Sequence, residues 1–177
     1  MSGESIVGVE AFLLASQEYC AFIERADQIS RSELLHGVHC RLADVYAAGL
    51  RLPEVRSGLP PSVENTSAAA SSWGNSGEIA LATQLKRIIR DVDLTKEVYG
   101  EEALPDRLSD DLASVYSELK EGLDLWNARD QKGEILWEWS FAFIHHWAQH
   151  ATSGMRLLWL FMTLGYPDPE LESGAGP

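Results

Sequence analysis

The sequence predicts an all-α fold, a single domain made of a mostly antiparallel bundle of five to seven helices with one long exposed loop. Three observations predict it. Apolar residues recur at three- and four-residue steps along most of the chain, and no segment has the two-residue alternation of a strand. The length of 177 residues is enough for one domain with its own core. We expect the domain to span residues 1–166 and a flexible tail to cover 167–177.

The first two helices are expected to pair side by side. Helix one is predicted from about Ser5 to Ala26. Ser30 and Glu33 then form a capping box, in which each side chain satisfies a backbone donor of the other, so that helix two begins there and ends before Pro53. A short loop between two amphipathic helices makes them antiparallel. One face of helix two carries four aliphatic residues and one glycine: Leu35, Val38, Leu42, Val45 and Gly49.

The next segment lacks periodicity. Residues 53–77 are rich in Pro, Ser and Gly, which predicts an exposed loop. Helix three is expected from Glu78 to about Arg90. Helix four has one long apolar stripe and carries Asp110 and Asp111 in its first turn, where carboxylates favour the helix dipole. The stripe consists of Leu108, Leu112, Val115, Leu119, Leu123 and Trp126.

Helix five contains the densest aromatic segment of the chain, Trp137–Arg156. It is predicted to begin near Asp130 or Glu134 and to reach Leu164. Because about thirty residues at 1.5 Å each would overshoot a small domain, we expect a break near Ser153. A helix that is apolar on nearly all sides is expected to be buried, with its tryptophans packed in the core.

A polar stripe crosses this helix and gives the first candidate site. It consists of Glu138, His145, Gln149 and Arg156. If it lines a pocket, the arginine could clamp a carboxylate or phosphate. The alternative is structural: Arg156 pairs with Asp110 or Asp111 and ties two helices together. In both cases we expect these polar side chains to be enclosed and to find their partners inside the protein, away from bulk water.

A second candidate site is a metal centre. His146 and His150 are four residues apart, so both imidazoles could reach one ion. Glu138 and His39 could complete the shell, and a divalent metal such as zinc would keep an open position. The alternative is that these histidines are structural. Apart from this possible metal ion, we expect no cofactor. Cys20 and Cys40 are expected to be buried reduced thiols, with a reversible disulfide as the alternative.

The charge balance limits the partners. With 27 acidic and 14 basic residues the net charge is −13, which argues against nucleic acid and anionic membranes as partners. The acidic stretch from Asp91 to Glu121 could instead form a face for a basic protein. No nucleophile motif or phosphate loop occurs. We therefore expect a non-catalytic protein-binding module with an acidic face; the alternative is a metal- or small-ligand-binding bundle built on the Glu/His cluster.

Location follows from two further features. The N-terminus lacks the basic region of a secretory signal, and the apolar run Leu157–Leu164 is too short to cross a bilayer. We expect a cytoplasmic protein whose oligomeric state the sequence leaves open.

Four segments of the chain resemble a bacterial family of uncharacterised helical proteins, domain of unknown function 5063. They are EYCAFIE in helix one, LADVYAAGLRLPEV at the end of helix two, LSDDLASVYSELKEGLDLW in helix four and WEWSFAFIHHWAQHATSGMRLL in helix five. The resemblance implies a helical fold in a bacterial cytoplasm, with helices four and five at its centre. It implies no activity, cofactor or functional residue.

Overall fold

Helix is the only regular secondary structure in the part of the chain that the computed structural model describes, residues 3–52, 74–89, 108–128 and 132–163. The helices are α1 (Gly3–Ile23), α2 (Arg31–Gly49), α3 (Gly74–Ile89), α4 (Leu108–Ala128), α5 (Lys132–Ala142) and α6 (Ala148–Thr163). A short 3₁₀ turn, Ala26–Gln28, follows α1, and a π-helical turn, Phe143–Trp147, joins α5 to α6. The predicted all-α bundle is confirmed.

The α1–α2 pair forms as predicted. The hydroxyl of Ser30 accepts a hydrogen bond of 3.2 Å from the backbone N–H of Glu33, which satisfies one of the orphan donors at the start of α2. Phe22, near the end of α1, packs directly on Gly37, where a Cβ would overlap the phenyl ring. At the other end of the pair, Gly8 lies against the carbonyl of Arg51, so the two helices are antiparallel.

The predicted apolar faces of α2 and α4 are also confirmed. All five residues of the α2 face are buried, and so are the first five of the α4 stripe, while Trp126 is partly buried. Periodicity identified these faces because polar residues occupy the opposite sides of both helices.

Helix α6 lies against both α2 and α4. At Gly154 a Cβ would stand 3.1 Å from Cδ2 of Leu42 and 3.8 Å from Cδ1 of Leu108, so the glycine lets three helices approach closely. Further along, Gly49 of α2 packs on Phe143. These contacts make α6 antiparallel to α2.

The predicted break near Ser153 is wrong, because Ser153 and Gly154 lie within α6. The irregularity comes earlier, in the π-helical turn, where the N–H of Ala148 donates to the carbonyl of Phe143 five residues before it. Steps of four residues overshoot an α-helical turn by about 40° each. A π-helical turn holds more residues and cancels part of this drift. It keeps Trp139, Phe143 and Trp147 on one buried side.

Two predictions about burial are corrected. Trp159 is 55% exposed, so the tryptophans of the long helical segment are not all core residues. Cys20 is a buried free thiol as expected, but the free thiol of Cys40 is exposed on α2. The side chain of Cys40 lies on the outer side of its helix, which its neighbours do not cover.

The remaining boundaries are as follows. Helix α3 begins at Gly74, four residues before the predicted start, so the end of the predicted loop 53–77 is helical. Residues 53–73 of that loop and the predicted tail 167–177 lie outside the described residues. None of the described helices has the length and apolar character needed to cross a bilayer.

Candidate functional site

Two histidine–carboxylate pairs connect α6 and the π-helical turn to α4. Nδ1 of His150 lies 2.9 Å from Oδ1 of Asp111, and Nδ1 of His146 lies 2.7 Å from Oε1 of Glu118. The order of the pairs is antiparallel: Asp111, the earlier carboxylate on α4, meets His150, the later histidine, and Glu118 meets His146. The two imidazole rings stand edge to face, with centroids 5.0 Å apart.

The two pairs differ in their exposure to solvent. The side chain of Asp111 is only 9% exposed and that of His150 is 27% exposed, whereas His146 is 45% exposed. The second oxygen of Asp111, Oδ2, is buried and accepts no hydrogen bond from the residues that the structure describes. The two pairs therefore form a row of side chains that begins at the buried carboxylate of Asp111 and ends at the exposed imidazole of His146. We call it the histidine–carboxylate row.

A buried tyrosine lies next to the inner end of this row. Tyr19 of α1 donates a hydrogen bond of 3.0 Å to the carbonyl of Leu112. Burial raises the pKa of Tyr19 well above its ordinary value, and the nearby Cys20 and Asp111 raise it further. The tyrosine is therefore a neutral donor that ties α1 to α4 beside Asp111.

A group of three carboxylates, which we call the acidic seam, lies where α5 meets α4. It consists of Glu118, Glu121 and Glu138. Partial burial raises the pKa of Glu121, and repulsion by Glu118 and Glu138 raises it further. The helices meet closely here because Gly122 packs on the indole of Trp139 and that ring stacks on Trp126, with centroids 5.7 Å apart. The acidic seam is thus a place where negative charge is crowded.

An aromatic ladder lies on the outer side of α5, next to the acidic seam. Trp137 stacks on Phe141 with centroids 5.1 Å apart and an interplanar angle of 11°, and Phe141 contacts the ring of His145 at 4.3 Å. Phe141 is 45% exposed, and the neighbouring Ile144 is 64% exposed. We call Trp137, Phe141 and His145 the aromatic ladder.

The predicted polar stripe lies mostly at the surface. His145, Gln149 and Arg156 are exposed along the outer face of the long helical segment, and Glu138 is partly buried in the acidic seam. The expectation that the stripe is enclosed is therefore wrong. The reason is that α2 and α4 cover only one side of α6, and the polar stripe lies on the other side.

The predicted metal ligands are only partly brought together. His146 and His150 are neighbours, but Glu138 lies eight residues before His146, about two turns away. Leu42 of α2 packs at Gly154 of α6, and the two helices are antiparallel. His39, three residues before Leu42, is therefore level with residues of α6 that follow Gly154, and His150 precedes Gly154. Burial and the proximity of His36 lower the pKa of His39. Among the described residues, no three His, Cys, Asp or Glu side chains form a group able to hold a metal.

The carboxylates that partner the histidines are the functional candidates that sequence reasoning missed. From the sequence alone, Asp111 is a candidate for the helix dipole and for pairing with Arg156, and Glu118 belongs to the acidic stretch. The sequence carries one regularity, the order of the pairs: on antiparallel helices the earlier carboxylate, Asp111, meets the later histidine, His150. Recognising it requires knowing that these two helices are adjacent.

The comparisons with known proteins agree with this fold. The crystal structure of protein BF1032 from Bacteroides fragilis is 19% identical in sequence and superimposes with a TM-score of 0.66, over 91% of this chain and 94% of that one. At this identity the likeness concerns the fold alone. None of the curated proteins matches the sequence. The family model for domain of unknown function 5063 (DUF5063) matches residues 8–162, and the chain therefore belongs to that family.

Proposed function

We propose that this protein is a non-catalytic binding module that recognises a basic segment of a partner protein through the acidic seam. The observation that carries the proposal is the crowding of three carboxylates where α5 packs on α4: partial burial and the neighbouring Glu118 and Glu138 oppose the ionisation of Glu121 and raise its pKa. A carboxylate whose ionisation is opposed by its neighbours gains when a cation arrives, because the cation offsets that repulsion. A lysine or arginine side chain is the common cation that fits this description.

The aromatic ladder supports the same partner chemistry. The stacked rings of Trp137 and Phe141 lie on the same helix as Glu138; Phe141 is exposed and Trp137 is partly buried, so the aromatic ladder presents part of its surface to solvent. The apolar stems of lysine and arginine side chains pack on such a surface while their charged ends reach beyond it. The ladder would thus hold the side chains of a basic segment whose charges meet the acidic seam.

The overall charge supports association with a basic partner. A net charge of −13 speeds the approach of positively charged molecules, an effect that salt screens over about 8–10 Å. This long-range attraction is independent of any particular surface. A test of the proposal must therefore separate the acidic seam from the charge of the whole chain.

The test uses a fluorescein-labelled oligolysine peptide as the probe and fluorescence anisotropy as the measurement. Wild-type protein is expected to bind it, and the affinity should fall steeply between low and physiological salt. The double variant Glu121→Gln/Glu138→Gln should bind roughly fivefold more weakly, since each exposed ion pair contributes about 0.2–1 kcal/mol.

A matched control removes the same charge elsewhere. Glu10 and Asp44 are exposed carboxylates on α1 and α2, and Glu10→Gln/Asp44→Asn should change the affinity less than about twofold. Equal losses in the two double variants would mean that the peptide senses only net charge. That result, or no binding by the wild type, would end the proposal.

A further inference from the structure

We propose that His146 and His150 together bind a divalent transition-metal ion such as Zn²⁺. The inference goes beyond the proposed function and shares one residue with it, Glu118 of the acidic seam. Its first support is geometric: the two imidazoles are one helical turn apart and their centroids are separated by 5.0 Å. Histidines at this spacing can direct ring nitrogens to one ion from the same side of a helix.

The second support is the carboxylate behind each ring. Nδ1 of His146 faces Glu118 at 2.7 Å and Nδ1 of His150 faces Asp111 at 2.9 Å. When Nδ1–H donates to a carboxylate, the tautomer is fixed and the metal is bound through Nε2, which also becomes more basic. Metal-ligating histidines almost always have such a partner, and here both rings have one.

The partners also orient the rings. Asp111 is nearly buried and Glu118 is partly buried, so each imidazole is fixed to α4 at a defined point along the helix. By contrast, the ring of His145 contacts that of Phe141 within the aromatic ladder, with centroids 4.3 Å apart and an interplanar angle of 44°. The adjacent histidine of the same turn is therefore held by a ring contact and provides a natural control.

The exposure of the pair indicates the type of site. With His146 45% exposed and His150 27% exposed, an ion would be accessible from solvent. Within the described residues no third His, Cys, Asp or Glu joins the two imidazoles to make a metal-binding group, so the proposal names these two imidazoles as ligands. A site with two protein ligands exchanges its metal, unlike the closed four-ligand sites that stabilise folds.

The test measures Zn²⁺ binding to protein prepared without a histidine tag, by isothermal titration calorimetry. Wild-type protein should bind one Zn²⁺ per chain. His146→Ala removes one ligand at the exposed end of the row and should weaken binding at least about tenfold. Glu118→Ala leaves both imidazoles in place and should weaken binding roughly tenfold, the lower end of the effect of removing an outer-shell partner.

Two controls keep the outcome clear. His145→Ala removes an exposed histidine from the same turn and should leave the Zn²⁺ affinity unchanged. Circular dichroism of each metal-free variant checks that the helices remain folded. With Cu²⁺ as a second probe, electron paramagnetic resonance should show coupling to two imidazole nitrogens in the wild type and to fewer in His146→Ala.

The proposal would be overturned by any of three results. They are no Zn²⁺ binding by the wild type, equal binding by the wild type and His146→Ala, or an equal loss in His145→Ala. The last result would assign the metal to scattered surface histidines.

Discussion

The inner and outer faces of the segment from Lys132 to Thr163 are both aromatic, yet their surroundings are opposite. On the inner face Trp139, Phe143 and Trp147 are at most 8% exposed. On the outer face Ile144 and Trp159 are more than half exposed. The difference arises from the neighbouring helices: α2 and α4 pack on one side of this segment, and no described helix covers the other.

The comparison shows that an aromatic side chain does not by itself define the core. On the inner face the rings contact one another and Phe12 of α1, where Trp139 lies at 5.1 Å and Trp147 at 6.1 Å between centroids. On the outer face the recorded contacts among the described residues are between helix neighbours, as between Trp137 and Phe141. The inner face should therefore determine stability, and the outer face is free to serve binding.

The largest expected effect is on stability and distinguishes two tryptophans. Trp147→Ala removes a fully buried indole and should lower the free energy of unfolding by about 3–5 kcal/mol. Trp159→Ala removes an exposed indole and should lower it by less than about 1 kcal/mol. Urea unfolding measures both. Similar losses would contradict the division into inner and outer faces.

The next effect concerns the contact between α4 and α5. Gly122→Ala places a methyl group where the indole of Trp139 lies, so overpacking should cost about 1–3 kcal/mol. Gly133→Ala is the control, because a Cβ there meets nothing within 4 Å. Thermal unfolding compares the two variants. If Gly122→Ala were as stable as its control, the close packing of the inner face on α4 would be wrong.

A smaller effect distinguishes two adjacent carboxylates on α4. Asp111→Ala deprives His150 of its hydrogen-bond partner and should cost about 1–3 kcal/mol. Asp110→Ala changes an exposed residue in the first turn and should cost about 0.3–1 kcal/mol through the helix dipole. Chemical denaturation at neutral pH gives both values. If Asp110→Ala lowered the free energy of unfolding more than Asp111→Ala, the exposed carboxylate of α4, and not the one paired with His150, would contribute more to stability.

The smallest effect has the opposite sign and depends on pH. The pKa of Glu121 is raised in the folded chain, so its charged form costs stability at neutral pH, and the cost disappears once the pH falls below its ordinary value of 4.5. Glu121→Gln should therefore raise the free energy of unfolding by a few tenths of a kcal/mol at pH 7. The gain should vanish near pH 4 in urea titrations. A loss of stability at pH 7 would show that the charge is favourably paired.

Much of the fold could be predicted because local patterns were strong. The Ser30 cap, the apolar face of α2 and the stripe of α4 require only helical periodicity and backbone chemistry, and all are present. The aromatic segment was harder, because a helix with apolar residues on nearly every side has no periodic signal that selects its inner face. The π-helical turn could not be predicted for the same reason. It turns Phe143 and Trp147 toward the helices that cover the inner face, and the sequence does not show where those helices lie.

The candidate site was predicted in part. The pairing of His146 with His150 follows from sequence spacing and is present. The addition of Glu138 and His39 depended on assumed adjacency, and the packing of Leu42 at Gly154 places His39 elsewhere. Asp111 and Glu118 became visible as partners only once α4 and α6 were known to be antiparallel neighbours.

The sequence by itself determined where helices form, how α1 turns into α2, and which faces of α2 and α4 are apolar, since these depend on hydrogen bonds and side chains within a few residues. Only the tertiary structure decided which aromatic rings are buried, that the polar stripe faces outward, and that Asp111 and Glu118 meet the two histidines. Those outcomes depend on which helices touch, and contacts between residues distant in the chain leave no local pattern.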